Sequence, residues 1–202
     1  MQGAVNTGSS LTLTYTLGLP EEITLSTAID VLSHFIDGYM SVKANVVTDA
    51  LAEWGFREFS EIVPLLIQRS YDESFRKKVL SMSIVAGFVI SITRTTLPHV
   101  LGYPITYHKG VLHGFACGML TRKFLEFHKD AEKRDRLLML CDFENLVELG
   151  LFINEICPSL YCTDDEISLF VETVLSDKTR LQAHPFPISR EDITAIYKES
   201  LL

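Results

Sequence analysis

The sequence is short of positive charge. Eighteen Lys and Arg residues stand against 26 Asp and Glu, so the formal net charge of the 202-residue chain is −8. Binding to nucleic acid relies on clustered Lys and Arg at the phosphates. The basic cluster 76–78 is short, and Asp72 and Glu73 stand shortly before it. We therefore expect no nucleic-acid partner.

Long apolar runs are also missing. No segment reaches the roughly 18 uninterrupted apolar residues of a membrane span. The first 20 residues, MQGAVNTGSSLTLTYTLGLP, lack the basic start and apolar core of a signal peptide. These two absences predict a cytoplasmic protein with no membrane partner.

The four cysteines form no C-x-x-C pair. They lie at Cys117, Cys141, Cys157 and Cys162. In a chain without an export signal, scattered thiols of this kind are more often buried small apolar residues than disulfides or a zinc site. We assign them no chemistry from the sequence.

What the chain does have is helical periodicity. Hydrophobic residues make up 47% of it, and their spacing predicts an all-α bundle of seven or eight helices with short connections. The predicted helices cover residues 26–40, 48–68, 74–92, 113–127, 130–141, 145–156, 163–181 and 191–201. A capping box of Thr163 and Glu166 opens the seventh of these.

Two other features set the predicted boundaries. Residues 10–18 alternate apolar and hydroxyl side chains like a strand, so we expect a short extended lead-in over 1–19 and a helical domain over 20–202. The Gly-Tyr-Pro sequence at 102–104 is predicted to end the segment that carries His99.

Asp30 and His34 are the first residues in the sequence whose side chains are candidates for a chemical role. Four residues apart in the first helix, they share one face, and Asp37 lies beside them. For this helix alone a solvated polar face is the simpler interpretation. A functional interpretation needs further residues from elsewhere in the chain.

His99 and His113 are the candidates for that role. Each stands among apolar neighbours, where a hydrogen-bonded core histidine is the usual alternative to a ligand. One carboxylate and three imidazoles can enclose a divalent metal such as Fe(II), Zn(II), Co(II) or Ni(II) and leave a position open for substrate.

Two stretches resemble one known family. LPEEITLSTAIDVLSHFIDGYMS and AGFVISITRTTLPHVLGYPITYHKGVLHGFACGM are similar to the C-terminal helical domain of iron-containing alcohol dehydrogenases, which belong to the dehydroquinate synthase-like superfamily. The likeness extends over most of residues 15–200, including a weaker His-Pro-Phe-Pro pattern at 184–187. It implies an oxidoreductase whose metal, iron first and zinc second, is held by four ligands: Asp30, His34, His99 and His113.

The same resemblance suggests roles for three more side chains. Many family members have a histidine near the nicotinamide where this sequence has Tyr103, and a tyrosine does not titrate near neutral pH. Tyr103 and His108 are therefore the predicted catalytic residues, with His108 expected in a loop, where a plain exposed histidine is the alternative. Asp37 is expected to support His34 or its helix, or to be a surface acid.

The cofactor poses a difficulty. The family binds NAD(P) through an N-terminal α/β domain with a Gly-rich loop, but this sequence contains no Gly-Gly and no dinucleotide-binding unit. Only residues 6–10, Asn-Thr-Gly-Ser-Ser, are faintly similar to a family segment near the nicotinamide. NAD or NADP would thus come through a missing or separate domain. The alternatives are a catalytically incompetent fragment or a helical interaction domain that retains the metal site, while a synthase relative is disfavoured.

The predicted partners follow from this interpretation. They are a small alcohol or aldehyde, together with either a second copy of the chain or a separate nucleotide-binding domain. An isolated helical half should dimerise or expose an apolar patch near Tyr103 and His108.

Overall fold

The computed structural model describes residues 13–177 and 179–201. Within these ranges the chain folds into nine α-helices and two short 3-10 helices, with no strand. The α-helices are α1 (Glu21–Met40), α2 (Val46–Ile67), α3 (Glu73–Thr93), α4 (Leu97–Lys109), α5 (His113–Phe127), α6 (Ala131–Leu140), α7 (Leu146–Ile156), α8 (Asp164–Ser176) and α9 (Arg190–Leu201). The all-α prediction is confirmed.

Helix α1 is the central element. It packs against α2, α3 and α5, and more lightly against α4 and α6. Apolar residues on most of its circumference are fully buried, among them Ile29, Phe35 and Ile36. Of the polar residues of α1, Asp37 is fully buried within this packing, whereas Asp30 and His34 are partly exposed.

The prediction of a strand-like lead-in is wrong for residues 13–18, the part of the alternating stretch that the structure describes. Leu13–Tyr15 forms a 3-10 helix, and the chain turns over residues 16–18. Thr and Leu alternate there, but no neighbouring strand is present among the described residues to pair with them. Residues 6–10 and the start of the alternating stretch lie outside the described residues.

The predicted break at 102–104 is also wrong. Helix α4 runs through Gly102, Tyr103 and Pro104 and ends at Lys109; the next residue, Gly110, has a left-handed φ of 68°, which is typical of a helix C-terminus. Proline costs the helix one backbone hydrogen bond, yet Pro104 is buried, so packing maintains the helix. This helix is the ninth, beyond the eight predicted.

Most other predicted boundaries agree within a few residues. Helix α2 continues through Gly55 and Pro64, and the capping box of Thr163 and Glu166 is present. Helix α8 ends at Ser176, five residues earlier than predicted.

Two glycines set the approach of α5 to α1. A Cβ atom on Gly114 would lie 1.9 Å from the backbone oxygen of Ser26, and one on Gly118 would lie 2.4 Å from the side chain of Ile29. Only hydrogen fits at these positions. The resulting contact places the first residue of α5, His113, beside Asp30.

No single helix among the described residues has the length and apolar character to cross a membrane. Helices α3 and α4 meet that criterion only as a pair, with a bend of 109° between them.

Candidate metal centre

Four of the residues predicted from the sequence meet between α1, α4 and α5. His99 Nε2 lies 3.5 Å from Asp30 Oδ1, and the rings of His99 and His113 have centroids 5.1 Å apart. Ligand atoms of Asp30, His99 and His113, one from each residue, lie within 4.8 Å of one another. His99 and His113, which follow Asp30 by 69 and 83 positions in the sequence, thus face the same small volume as Asp30.

His34 lies on the solvent-exposed side of this group. Its Nδ1 atom lies 3.7 Å from Asp30 Oδ2, and its ring stacks on that of His99 at a centroid distance of 4.4 Å. The His34 side chain is 21% exposed, against 2% for His99. Asp30 therefore lies between one partly open and one enclosed imidazole.

Asp37 supports His99 and not His34. Its Oδ2 atom lies 2.8 Å from His99 Nδ1, an ion-pair contact, and it also accepts a 2.7 Å hydrogen bond from the Thr96 backbone N–H. The Thr96 hydroxyl donates to Oδ1 at 2.8 Å. Because Asp37 is fully buried, the expectation of a surface acid is wrong. Contact with Nδ1 leaves Nε2 of His99 directed towards Asp30.

The charges in the group are coupled. Burial alone would lower the pKa of His99, but Asp37 and Asp30 outweigh it and raise the pKa to about 9. Burial, followed by repulsion from His99, lowers the pKa of His34 and of His113. For Asp30, burial opposes ionisation, yet the histidines around it lower its pKa overall. The group thus favours one positive charge next to two carboxylates.

Three buried atoms of this group have no hydrogen-bond partner among the described residues. Asp30 Oδ1 and His99 Nε2 face each other at 3.5 Å, and His99 Nδ1 makes the ion-pair contact with Asp37. Buried polar atoms without partners are costly, and in native proteins they usually indicate a ligand, an ion or water. A carboxylate oxygen and neutral imidazole nitrogens are the donors that Fe(II) and Zn(II) accept. The residues therefore fit a divalent metal.

Comparison with known proteins agrees with this geometry. Residues 24–148 match the family model described as "Fe-containing alcohol dehydrogenase family, C-terminal". The chain belongs to the iron-containing alcohol dehydrogenase family. The resemblance noted in the sequence is thereby confirmed.

Individual relatives support the same assignment. The 1-propanol dehydrogenase PduQ of Salmonella typhimurium is 25% identical over 92% of this chain and 56% of its own length. Long-chain-alcohol dehydrogenase 1 of Geobacillus thermodenitrificans is 25% identical over 91% of this chain and 51% of its own. The chain spans about half the length of these relatives.

A solved structure shows the fold. An iron-containing alcohol dehydrogenase from Thermotoga maritima superposes with a TM-score of 0.84 and 34% identity, covering 94% of this chain and 52% of that one. The helical bundle of this family member corresponds to the C-terminal domain of iron-containing alcohol dehydrogenases.

Tyr103 lies next to the metal group. Its ring stacks on His113 at 5.2 Å with an interplanar angle of 5°, and the side chain is 39% exposed. Four residues after His99 in α4, it faces the same side of that helix. Tyr103 also lines a cleft of about 1010 Å³ that is bordered by Lys43, Arg94 and Thr95. Tyr103 therefore lies between the metal group and this cleft.

His108 lies apart from the group. It occupies the last turn of α4, where a loop was expected, and its ring stacks on Phe170 at 5.7 Å. Nine residues from His99, it faces roughly the opposite side of α4, since each residue turns the helix by about 100°. Helix α4 continues through Pro104, and this continuity is the physical reason for the separation.

Cys117 is a residue that the sequence reasoning missed. All four cysteines are buried and free, as expected, but Cys117 Sγ lies 3.7 Å from His113 Nε2 and belongs to the same close group of ligand atoms. Burial, and next the carboxylates of Asp30 and Asp37, raise the pKa of its thiol well above the ordinary value. The signal in the sequence was its position four residues after His113 on one helix.

Proposed function

We propose that this chain is the metal-binding part of an NAD(P)-dependent alcohol dehydrogenase that interconverts small alcohols with aldehydes or ketones. The observation that carries the proposal is the convergence of Asp30, His99 and His113, whose ligand atoms lie within 4.8 Å of one another. Asp30 Oδ1 and His99 Nε2 are buried there without a hydrogen-bond partner among the described residues. Family membership supports the reaction class.

In this proposal Asp30, His34, His99 and His113 hold one divalent ion, with Fe(II) as the first candidate and Zn(II) as the second. The ion supplies a Lewis acid for an alcohol or carbonyl oxygen. Asp30 contributes the negative charge that partly offsets the ion, and Asp37 holds His99 in the orientation that directs Nε2 inwards. His34, from the exposed side, closes the group towards solvent.

Tyr103 is the proposed catalytic residue next to the ion. Its place between His113 and the cleft would bring its hydroxyl group within reach of a bound alcohol or of the nicotinamide. A tyrosine can donate or accept a hydrogen bond there, but it does not exchange a proton readily near pH 7. His108, predicted as an alternative, packs on Phe170 on the other side of α4. We therefore assign the catalytic contact to Tyr103 and not to His108.

The nucleotide is proposed to come from outside these residues. NAD or NADP supplies the hydride acceptor or donor, and the chain has no Gly-Gly to approach a pyrophosphate closely. A nucleotide-binding domain, in the same protein or in a separate polypeptide, would then close over Tyr103 and the cleft. Pairing of two copies of the chain is proposed as a second way of covering this surface.

Metal content tests the proposal. The protein is purified anaerobically, loaded with Fe(II) or Zn(II), desalted and analysed by mass spectrometry for bound metal. We expect one ion per chain in the wild type and none in the double variant His99→Ala, His113→Ala. The single variant His108→Ala is the matched control, because it removes an exposed histidine from the same helix as His99.

Two results would contradict the proposal. The first is wild-type protein that binds no metal, and the second is a double variant that binds as much as the wild type. A metal-bound chain that gives no turnover with NAD or NADP, even with a nucleotide-binding partner present, would favour the alternative of a helical interaction domain that retains the site.

A further inference from the structure

We propose that the cleft beside Tyr103 binds a carboxylate of the substrate through Arg94 and Lys43, so that this chain acts on small hydroxycarboxylates or on the corresponding aldehyde acids. The inference rests on the proposed function and narrows it from alcohols in general to one anionic class. The reaction itself is the same: the alcohol carbon transfers a hydride to NAD or NADP, the hydroxyl group loses its proton, and the carboxylate keeps its charge.

The cleft carries positive charge, in contrast to the chain as a whole. Among the described residues that line it, the charged ones are Lys43 and Arg94, and they share a volume of about 1010 Å³ with the hydroxyl-bearing Thr95 and Tyr103. The whole chain has a formal net charge of −8. Two cations in one concave surface attract anions against that background. The volume also accommodates a substrate with a second functional group beside the alcohol.

These two cations differ from the other basic side chains in the described part of the chain. Every other Lys or Arg side chain that the structure describes has a partner: most form ion pairs, Arg76 donates hydrogen bonds to backbone oxygens, and Lys129 lies over the Phe186 ring. Lys43 and Arg94 make no such contact with a described residue. A guanidinium binds a carboxylate with two parallel hydrogen bonds. Both cations of the cleft are therefore available to an incoming anion.

The backbone segments that carry the two cations are fixed to each other. The buried Ser41, two residues before the lysine, donates a 2.7 Å hydrogen bond to the carbonyl oxygen of Thr93, directly before the arginine. The N–H of Val42 donates to the carbonyl oxygen of Ala183 at 3.0 Å, which attaches a third lining segment at the same place. A cleft wall held in this way needs less ordering when a ligand binds.

The backbone at Arg94 supports a functional role for its side chain. Its φ of 67° and ψ of 167° lie in a region that glycine adopts without strain and a larger residue does not. The conformation is held on both sides, since Arg94 N–H donates to the Ile90 carbonyl oxygen at 2.9 Å and Asp37 accepts two hydrogen bonds from Thr96. Strained residues of this kind cluster at ligand and active sites. Arginine at this position thus costs stability and adds a cation to the cleft.

The cleft adjoins the metal group. Tyr103 lines the cleft and stacks on His113 at 5.2 Å. A substrate with its alcohol at the metal group and its carboxylate at Arg94 would therefore lie along Tyr103. The phosphates of a nucleotide also present anionic oxygens. We assign the cations to the substrate, because the cleft begins beside the metal group, where the reacting alcohol has to lie.

One acid lies close to the cleft. Asp177 lines a neighbouring cavity of about 240 Å³ that shares Val100 and Tyr103 with the cleft. It accepts hydrogen bonds from the N–H and the hydroxyl group of Thr179. One carboxylate offsets one of the two cations, so an excess of positive charge remains for a ligand.

Binding to the zinc-loaded full chain tests the proposal. Calorimetric titration measures the affinity for 3-hydroxypropanoate, 4-hydroxybutanoate and 5-hydroxypentanoate, each against the diol of the same length, at low ionic strength. We expect at least one hydroxycarboxylate to bind about tenfold more tightly than its diol, because hydrogen bonds between charged groups are stronger than neutral ones. Added salt should weaken the binding of the hydroxycarboxylate and not that of the diol.

Three variants identify the residues responsible. Arg94→Ala should lower the preference for the carboxylate by about three- to tenfold, and the double variant Lys43→Ala, Arg94→Ala should abolish it. Arg94→Lys, which keeps the charge, should retain most of it. Arg69→Ala is the matched control: Arg69 also has a positive φ, of 55°, and its loss changes the net charge equally, but it does not line the cleft. The control should keep the full preference.

The outcomes separate this inference from the proposed function, because zinc is counted in the same samples. Zinc-loaded protein that binds each hydroxycarboxylate no better than its diol, or binds none of them, would overturn the anionic substrate and leave the metal site standing. Protein that binds no zinc would overturn both. A preference that the double variant retains, or that Arg69→Ala loses equally, would also overturn the role of the two cations.

Titration with NADP distinguishes the other source of anionic oxygens. If the double variant binds NADP more weakly but keeps the preference for hydroxycarboxylates, the cations belong to the nucleotide and the inference is wrong. The comparison of hydroxycarboxylate with diol in the wild type can overturn the inference without any variant.

Discussion

The carboxylate of Asp37 lies 2.8 Å from Nδ1 of His99, although the two residues are 62 positions apart in the sequence. The contact is buried on both sides, and Thr96 holds the same carboxylate with two hydrogen bonds. A ligand histidine fixed at one nitrogen presents the other in a defined direction. Asp37 is thus a positioning residue for the proposed metal site.

Asp37→Asn tests this relationship. The amide has one oxygen and so can accept one of the two hydrogen bonds that Thr96 donates, and it lacks the charge that stabilises and orients His99. We expect the affinity for Zn(II) to fall by about 10–100-fold, the usual effect of losing such a partner. Competition titration against a chelating dye measures it. Asp142→Asn, at an exposed loop position, is the control; equal affinity in the two variants would refute the positioning role.

The sequence predicts most of the helices well, because the spacing of apolar residues along a helix depends only on neighbouring positions. Eight of the nine helices in the described residues were located from apolar spacing and caps, including the capping box of Thr163 and Glu166. Helix α4 was missed because Gly102 and Pro104 are poor helix formers in isolation. Burial of Pro104 and packing of α4 against α5 and α8 overrode that preference, which no local pattern reveals.

The site was predictable in part for a similar reason. Asp30, His34, His99 and His113 were named from motifs, whereas the pairing of Asp37 with His99 arises from tertiary packing between α1 and the start of α4. Its spacing from His34 suggested the wrong partner. An isolated buried cysteine is ordinarily inert, so the sequence assigns Cys117 no chemistry, and only the close approach of α5 to α1 places it near the other donors.

That close approach gives the second prediction. Gly114→Ala would place a Cβ atom 1.9 Å from the Ser26 backbone oxygen, so α5 must move away from α1. We expect a loss of about 1–3 kcal/mol in the free energy of unfolding, typical of overpacking, together with weaker metal binding because His113 moves. Urea unfolding of the metal-free protein measures the loss in the free energy of unfolding.

Gly87→Ala is the matched control for Gly114. A Cβ at Gly87, inside α3, meets no atom within 4 Å. Alanine there should raise the free energy of unfolding by about 0.5–1 kcal/mol, since it reduces the freedom of the unfolded chain. Opposite signs for the two substitutions are expected. Similar values would indicate that α1 and α5 are not in tight contact.

The third prediction concerns acid stability. His184 and His128 lie in an aromatic cluster with Phe124, Phe127 and Phe186, and the two histidine rings are 5.9 Å apart. Burial, and next the proximity of His128, lower the pKa of His184 to about 4. A base whose pKa is lower in the folded state takes up protons preferentially when unfolded. Its contribution to stability is complete above the unfolded pKa of about 6.5 and is lost as the pH falls towards 4.

His184→Leu checks that prediction. Between pH 7 and pH 5 the wild type should lose up to about 2 kcal/mol through His184, in addition to the losses caused by other groups. The variant should show a loss smaller by that amount, because leucine does not titrate. Urea unfolding at both pH values supplies the comparison, with His108→Leu, at an exposed position, as the control. A pH dependence identical to that of the wild type would count against a buried, neutral His184.

The last prediction concerns the backbone between α3 and α4. Arg94 has φ 67° and ψ 167°, a region that is essentially restricted to glycine and costs a larger residue about 1–3 kcal/mol. Arg94→Gly should therefore raise the free energy of unfolding by about 1 kcal/mol, after allowing for the extra freedom of glycine in the unfolded chain. Arg94→Ala removes the same charge and side chain but keeps a Cβ atom, so it should bring no such gain. Chemical unfolding of the three proteins distinguishes the two causes: a gain confined to glycine identifies backbone strain, whereas equal gains would trace the effect to the arginine side chain at the edge of the cleft.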